Sequence, residues 1–166
     1  MFLQIVVSVI LFANKVFLVA GKKFGWLIGI VGCAIALLYF YLIHLYIFTV
    51  LEVGLIALMS YAYFTGKEKN PKTENMIRAI SIGVMVFLCF FVFNGLLTVC
   101  EFGSSALFLI GTYLLSHNRA NAGWILYCFA HALSAYVGYE KHQTFFADIQ
   151  IASIVVSIAG MNFSKK

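Results

Sequence analysis

Three residues of one short stretch, Trp124, Tyr127 and His131, stand three and four positions apart inside otherwise apolar text. On a helix that spacing stacks them in one stripe about two turns long. Aromatic faces in such a stripe can stack on a ring or hold a delocalised cation. A neutral imidazole beside them can donate one hydrogen bond and accept another. Further along lie Asp148 and Gln150, and far upstream the equally isolated Glu52. An ionised side chain at the middle of a membrane helix costs about 2.5 to 3.5 kcal/mol on insertion scales. Something must offset Glu52, and both Lys15 and a cationic ring on a substrate would do so.

Each of these residues has a second role open to it. Trp124 and Tyr127 could belong to the interfacial aromatic belt of a membrane protein. His131 could make a helix-to-helix hydrogen bond, and Asp148 could be a hydrated entrance residue. Asn94 and Asn121 are further polar candidates for the site. Ser104 and Ser105 can bond to carbonyls of their own helix. Gly25, Gly29 and Cys33, like Ala130, Ser134 and Gly138, recur every four positions and allow helices to pack closely, a structural role only.

The elements that must position these residues follow from composition. Of the 166 residues 63% are apolar and 10% charged, and the mean hydropathy is +1.00, whereas soluble domains carry about a quarter charged residues. So few polar groups cannot cover a globule in water, and the chain reads as an integral membrane protein with lipid as the solvent for most of its surface. The pI near 9.1 reflects the basic loops of membrane proteins and not nucleic-acid binding. Cys33, Cys89, Cys100 and Cys128 are scattered and contain no C-x-x-C pair, so they indicate neither disulfide nor metal. The opening run MFLQIVVSVILFANK lacks a basic n-region and a cleavage pattern, and reads as a retained span.

Cut at its polar breaks, the chain gives seven segments near crossing length: 2–20, 25–43, 46–65, 77–98, 102–117, 122–139 and 144–162. With the amino terminus outside, Lys22, Lys23, Lys67, Lys69, Lys72, Arg78, Arg119, Lys165 and Lys166 fall on the cytoplasmic side. Only Lys141 is then left outside, so the positive-inside rule favours an odd number of spans with the carboxyl terminus in the cytoplasm. The polar run GKEKNPKTEN, with the only proline, Pro71, becomes a cytoplasmic loop.

A shift of 98 positions lays Gly25-Trp26 on Gly123-Trp124, Tyr41 on Tyr139, His44 on His142, Phe48 on Phe146 and Glu52 on Gln150. Spans one to three therefore read as a repeat of spans five to seven, with span four as the linker that restores parallel orientation. The expected fold is all-α and integral to the membrane: seven transmembrane helices as 3+1+3, two parallel three-helix bundles joined by a linker helix. The expected division is 1–65 for the first bundle, 66–76 for the loop, 77–99 for the linker helix and 100–163 for the second bundle. That is the arrangement of SWEET-type transporters, whose sites lie near the bilayer midplane between the halves.

The run YLLSHNRANAGWILYCFAHALSAYVGYEKHQTFFADIQIASIVVSIAG resembles the carboxyl half of bacterial vitamin transporters of the PnuC type. A polar loop is followed by a Trp-bearing helix, an aromatic turn and an apolar helix ending in Gly. GKKFGWLIGIVGCAIALLYFYLIHLYIFTVLEVGLIALMSYAYF is similar to the family's first half. Tyr127 stands where the family usually has a second Trp, and His131 where it usually has Asn or Asp. The resemblance implies a facilitator in the bacterial cytoplasmic (inner) membrane that imports nicotinamide riboside or a related thiamine, riboflavin or deoxynucleoside-type compound. Uptake would then be driven by a gradient or by metabolic trapping.

The expected substrate-binding residues are Trp124, Tyr127, His131, Glu52, Gln150, Asn94 and Asn121. No cofactor, metal or catalytic group is expected. The chain holds no G-x-x-x-x-G-K-[ST], HExxH or G-x-S-x-G, so neither ATP-driven transport nor an intramembrane enzyme is indicated. Expected partners are a small-molecule substrate and membrane lipid, with no nucleic acid. A homo-oligomer is left open. The alternatives are a sugar-type SWEET transporter and a membrane substrate-binding or sensor protein without flux.

Overall fold

A computed structural model describes residues 2–21, 23–65, 70–117 and 119–163. They form seven helices: α1 (Phe2–Val19), α2 (Phe24–Leu42), α3 (Tyr46–Thr65), α4 (Pro71–Phe91), α5 (Gly95–Ser116), α6 (Ala120–Glu140) and α7 (Thr144–Phe163). All but α6 are long and apolar enough to cross a membrane, which is compatible with a multi-pass membrane protein. At 21 residues, α6 spans about 31 Å and is long enough too. Its apolar character is diluted by a buried face of Gly123, Trp124, Tyr127, His131, Ser134 and Gly138.

Burial is distributed as lipid requires. Phe90 on α4 is 81% exposed and Val155 on α7 66%, while Ser8, Ser104 and His131 are 0% exposed. Apolar side chains can face outward because hydrocarbon solvates them, and polar ones turn inward to find partners.

The helices follow one another around a ring. α1 packs on α2, α2 on α3, α3 on α5, α5 on α6, α6 on α7, and α7 on α1 again. α4 lies outside the ring, against α3 and α5. Within the expected three-helix groups, among the described residues, the backbone of α1 does not pack on that of α3, nor that of α5 on that of α7. Each trio is an arc, because the space where its first and third helices would meet faces the centre.

The turns from α2 to α3 and from α6 to α7 are built alike. After α2, Leu45 N–H donates to Phe40 O at 2.9 Å and His44 N–H to Tyr41 O at 3.2 Å. After α6, Gln143 N–H donates to Gly138 O at 2.8 Å and His142 N–H to Tyr139 O at 3.0 Å. Both are Schellman ends, which need a left-handed residue after the helix. His44 (φ 60°) and His142 (φ 56°), the pair matched by the shift of 98, supply it.

Two boundaries differ from expectation. The loop expected at 66–76 gives way to helix at Pro71, because Asn70 Oδ1 accepts the Lys72 N–H at 3.0 Å and Pro71 occupies the first turn. That is an N-cap followed by the proline a helix start tolerates. The linker helix expected at 77–99 ends at Phe91, and the chain breaks at 92–94. There Thr98 Oγ1 accepts the Asn94 N–H at 2.7 Å and donates to Val92 O at 3.2 Å. The break expected between 98 and 102 lies inside α5 instead, where Glu101 is only 5% exposed. Its Oε1 accepts the Phe48 N–H at 3.0 Å, so a carboxylate that reads as a loop residue serves as a cap for α3.

Candidate functional site

A cavity of about 50 Å³ lies at the centre of the ring, room for a few waters. Every ring helix contributes to its wall and α4 does not. α1 and α2 present Asn14, Lys15 and Cys33, and α3 presents Glu52. Across from them α6 presents Tyr127 and Ser134, and α7 Gln150. Phe40, Phe48 and Phe146 form an apolar part of the wall. Phe40 touches the other two, with ring centroids at 5.0 Å and 5.5 Å. Behind them Tyr39 Oη donates to Gln143 Oε1 at 2.9 Å and so ties α2 to the α6–α7 turn.

The local folding of each wall explains its polar groups. Asn14 Nδ2 donates to the Gly25 carbonyl at 2.7 Å. It sits where a Cβ on Gly29 would approach it to 2.6 Å, so the glycine lets the amide pass between α1 and α2. Lys15 Nζ donates to Ser153 Oγ on α7 at 3.1 Å. The Cys33 thiol shares the cavity wall with the Glu52 carboxylate, whose Oε2 has no hydrogen-bond partner. Lys15 and Glu52 are close enough for each to feel the other's charge. Ser134 Oγ, 1% exposed as a residue, has no partner either.

Among the residues expected to bind substrate, Tyr127, Glu52 and Gln150 line the cavity. Tyr127 Oη is 2.8 Å from Thr112 Oγ1. His131 stands one layer back with its Nδ1 2.6 Å from Gln150 Oε1, between the rings of Phe108 and Tyr127. With Nδ1–H donating to the amide oxygen, the Gln150 NH2 group is turned elsewhere and His131 Nε2 has no partner.

Trp124 does not line the cavity. It is 3% exposed and packs edge-on to Tyr127 at 5.6 Å. Gly160 on α7 makes room for it: a Cβ there would meet the indole ring at 2.5 Å. Asn94 and Asn121 are exposed at the starts of α5 and α6, away from the cavity. Asp148 is likewise exposed and accepts the Tyr139 hydroxyl at 2.6 Å. Ser104 and Ser105 bond to Glu101 O, at 3.0 Å and 2.7 Å, within their own helix.

Asn14 and Lys15 were missing from the expected site, and Cys33 and Ser134 were expected to serve packing alone. Lys15 carries a signal in the sequence, an isolated charge in a run of apolar residues. Cys33 and Ser134 carry none, because small residues at four-residue spacing serve close packing equally well. No group of three or more His, Cys, Asp or Glu side chains that could hold a metal occurs among the described residues. The arrangement suits reversible binding of a small ligand that is part aromatic and part polar. No protein-family model, curated protein or solved structure matches the chain.

Proposed function

We propose that the chain is a membrane facilitator that admits a vitamin-type nucleoside or related heteroaromatic compound to the central cavity and releases it on the other side by alternating access. The observation that carries this reading is that two cavity-lining groups, Glu52 Oε2 and Ser134 Oγ, are buried without a hydrogen-bond partner. An unpartnered buried polar group costs about 1 to 3 kcal/mol, and a polar ligand would relieve it. Tyr127 and Phe108 would face the ligand's ring, and Gln150, held by His131, would meet its polar edge.

The proposed architecture is two like-oriented trios, α1–α3 and α5–α7, related by a twofold axis along the membrane normal, with α4 as the linker. Two features support it: the ring order is unchanged when the trios are exchanged, and the two Schellman turns correspond bond for bond. A cavity that holds a few waters is small for a nucleoside, so entry would require the arcs to part, as rocking transporters do. In this reading the membrane is a bacterial inner membrane, the amino terminus is outside, and the helix starts bearing Lys23, Lys72 and Arg119 face the cytoplasm. Lys22, Lys67, Lys69, Lys165 and Lys166, which also favour that orientation, lie outside the described residues.

Flux of labelled nicotinamide riboside, nicotinic acid riboside, thiamine, riboflavin and deoxynucleosides into liposomes holding the purified protein tests the reading. Saturable uptake of one of them is expected, with competition by its unlabelled form. Binding without flux would favour a substrate-capture or sensor protein. Uptake of sugars alone would favour a sugar-type transporter.

A further inference from the structure

The cavity wall carries one basic and one acidic side chain. Lys15 on α1 is 6% exposed and Glu52 on α3 is 3% exposed, and no other charged residue lines the space among the described residues. The two feel each other's charge. Whether the proton sits on the amine or on the carboxylate, the pair sums to zero. An isolated Glu52 would favour a cationic ligand, but Lys15 removes that preference. A ligand of net charge +1 would enter a desolvated space with no net counter-charge, the least favourable way to bury an ion.

The hydrogen-bonding pattern is as specific as the charge. Lys15 Nζ has three N–H donors as an ammonium and two as an amine, of which Ser153 Oγ takes one. Glu52 Oε2 has no partner and can accept. The wall therefore offers a donor and an acceptor to one small space, with the Tyr127 ring among its other groups.

We infer that the cavity selects ligands of zero net charge that present a hydrogen-bond acceptor next to a hydrogen-bond donor or positive centre on an aromatic ring. A zwitterionic ring with a carboxylate has that edge, and so does an imide, whose N–H lies between two carbonyls. The ligand's acceptor meets Lys15 and its donor or positive centre meets Glu52. This inference rests on the facilitator reading and assigns the chemical class of its substrate.

Three probes separate the possibilities: nicotinamide riboside (net charge +1), nicotinic acid riboside (the same ring and sugar with a carboxylate, net zero) and uridine (a neutral imide). Affinities come from thermal stabilisation of the full-length purified protein, since a ligand that binds only the folded state raises its apparent stability. At least one net-neutral probe should bind tenfold or more tighter than nicotinamide riboside. In Lys15→Gln, which leaves the carboxylate alone, the ratio should move toward the cation by a similar factor. If neither neutral probe binds the native protein tenfold tighter than nicotinamide riboside does, the inference is overturned while the facilitator reading stands. If none of the three binds, the inference fails and the nucleoside reading fails with it. Should Lys15→Gln not fold, the ranking in the native protein alone decides.

Discussion

His131 Nδ1 on α6 and Gln150 Oε1 on α7 lie 2.6 Å apart, in a site where neither residue is more than 3% exposed. The contact joins the second and third helices of the carboxyl-terminal arc and sets the orientation of a cavity-lining amide. His131→Leu leaves that amide oxygen unpaired and should lower stability by about 1 to 3 kcal/mol. His131→Asn places an amide N–H near the position of Nδ1 and should recover most of the loss. Thermal unfolding of the purified variants decides; equal losses for Leu and Asn would remove the hydrogen bond from the account.

Glu101 provides the cap at the start of α3. Glu101→Ala removes the acceptor for the Phe48 N–H, and cap removal costs about 0.5 to 2 kcal/mol. Glu101→Gln keeps an acceptor oxygen and should lose less. Hydrogen exchange read at the Phe48 amide should quicken in the Ala variant and change little in the Gln variant. Unchanged protection in Glu101→Ala would contradict the capping role.

Trp124 and Gly160 are fitted to each other, since a Cβ on the glycine would meet the indole at 2.5 Å. Gly160→Ala overpacks the α6–α7 contact and should destabilise by about 1 to 3 kcal/mol. Trp124→Ala removes the ring atoms that clash, so the double variant should be more stable than the sum of the two single effects. Strict additivity in thermal unfolding would show that the two residues do not press on each other.

Cys33 is a built-in reporter of the cavity, which its side chain lines while only 1% exposed. A small permeant thiol reagent should modify it slowly, and a bound ligand should slow it further, as read by site-resolved mass spectrometry. Tyr39→Phe cuts the bond to Gln143 and should speed modification of Cys33 while lowering stability by only about 0.5 to 1.5 kcal/mol. An unchanged rate would mean that this contact does not restrain access.

The parallel-trio architecture has a topological test. On a background lacking native cysteines, Leu42→Cys and Glu140→Cys, 98 positions apart, should react with an impermeant reagent from the same side of intact cells. Lys72→Cys and Arg119→Cys should react only after permeabilisation. Opposite sidedness for Leu42 and Glu140 would break the proposed relation between the halves.

The legible part of the site was the part that violates the solvent. Glu52, His131 and Gln150 stood out because apolar text rejects them, and all three are buried at or beside the cavity. Trp124 was legible as important but not as packing, because an aromatic at a helix face reads the same whether a ligand or Gly160 covers it. Asn94 and Asn121 looked alike in sequence to the polar residues that line the cavity. They lie at helix starts, where water can solvate an amide at little cost.

Composition and spacing alone pointed to an all-helical chain suited to lipid, with seven helical segments and a residue pattern that recurs after 98 positions, and the described residues form seven helices. Those properties depend on local hydrophobicity and on neighbours a few residues away, which the text carries in full. Only the tertiary structure decided that the helices form a ring with α4 outside. It also decided that Lys15 faces the same space as Glu52, and that Glu101 caps a helix 53 residues before it. Such pairings depend on which helix faces which, a choice made by packing between distant segments that no local pattern encodes.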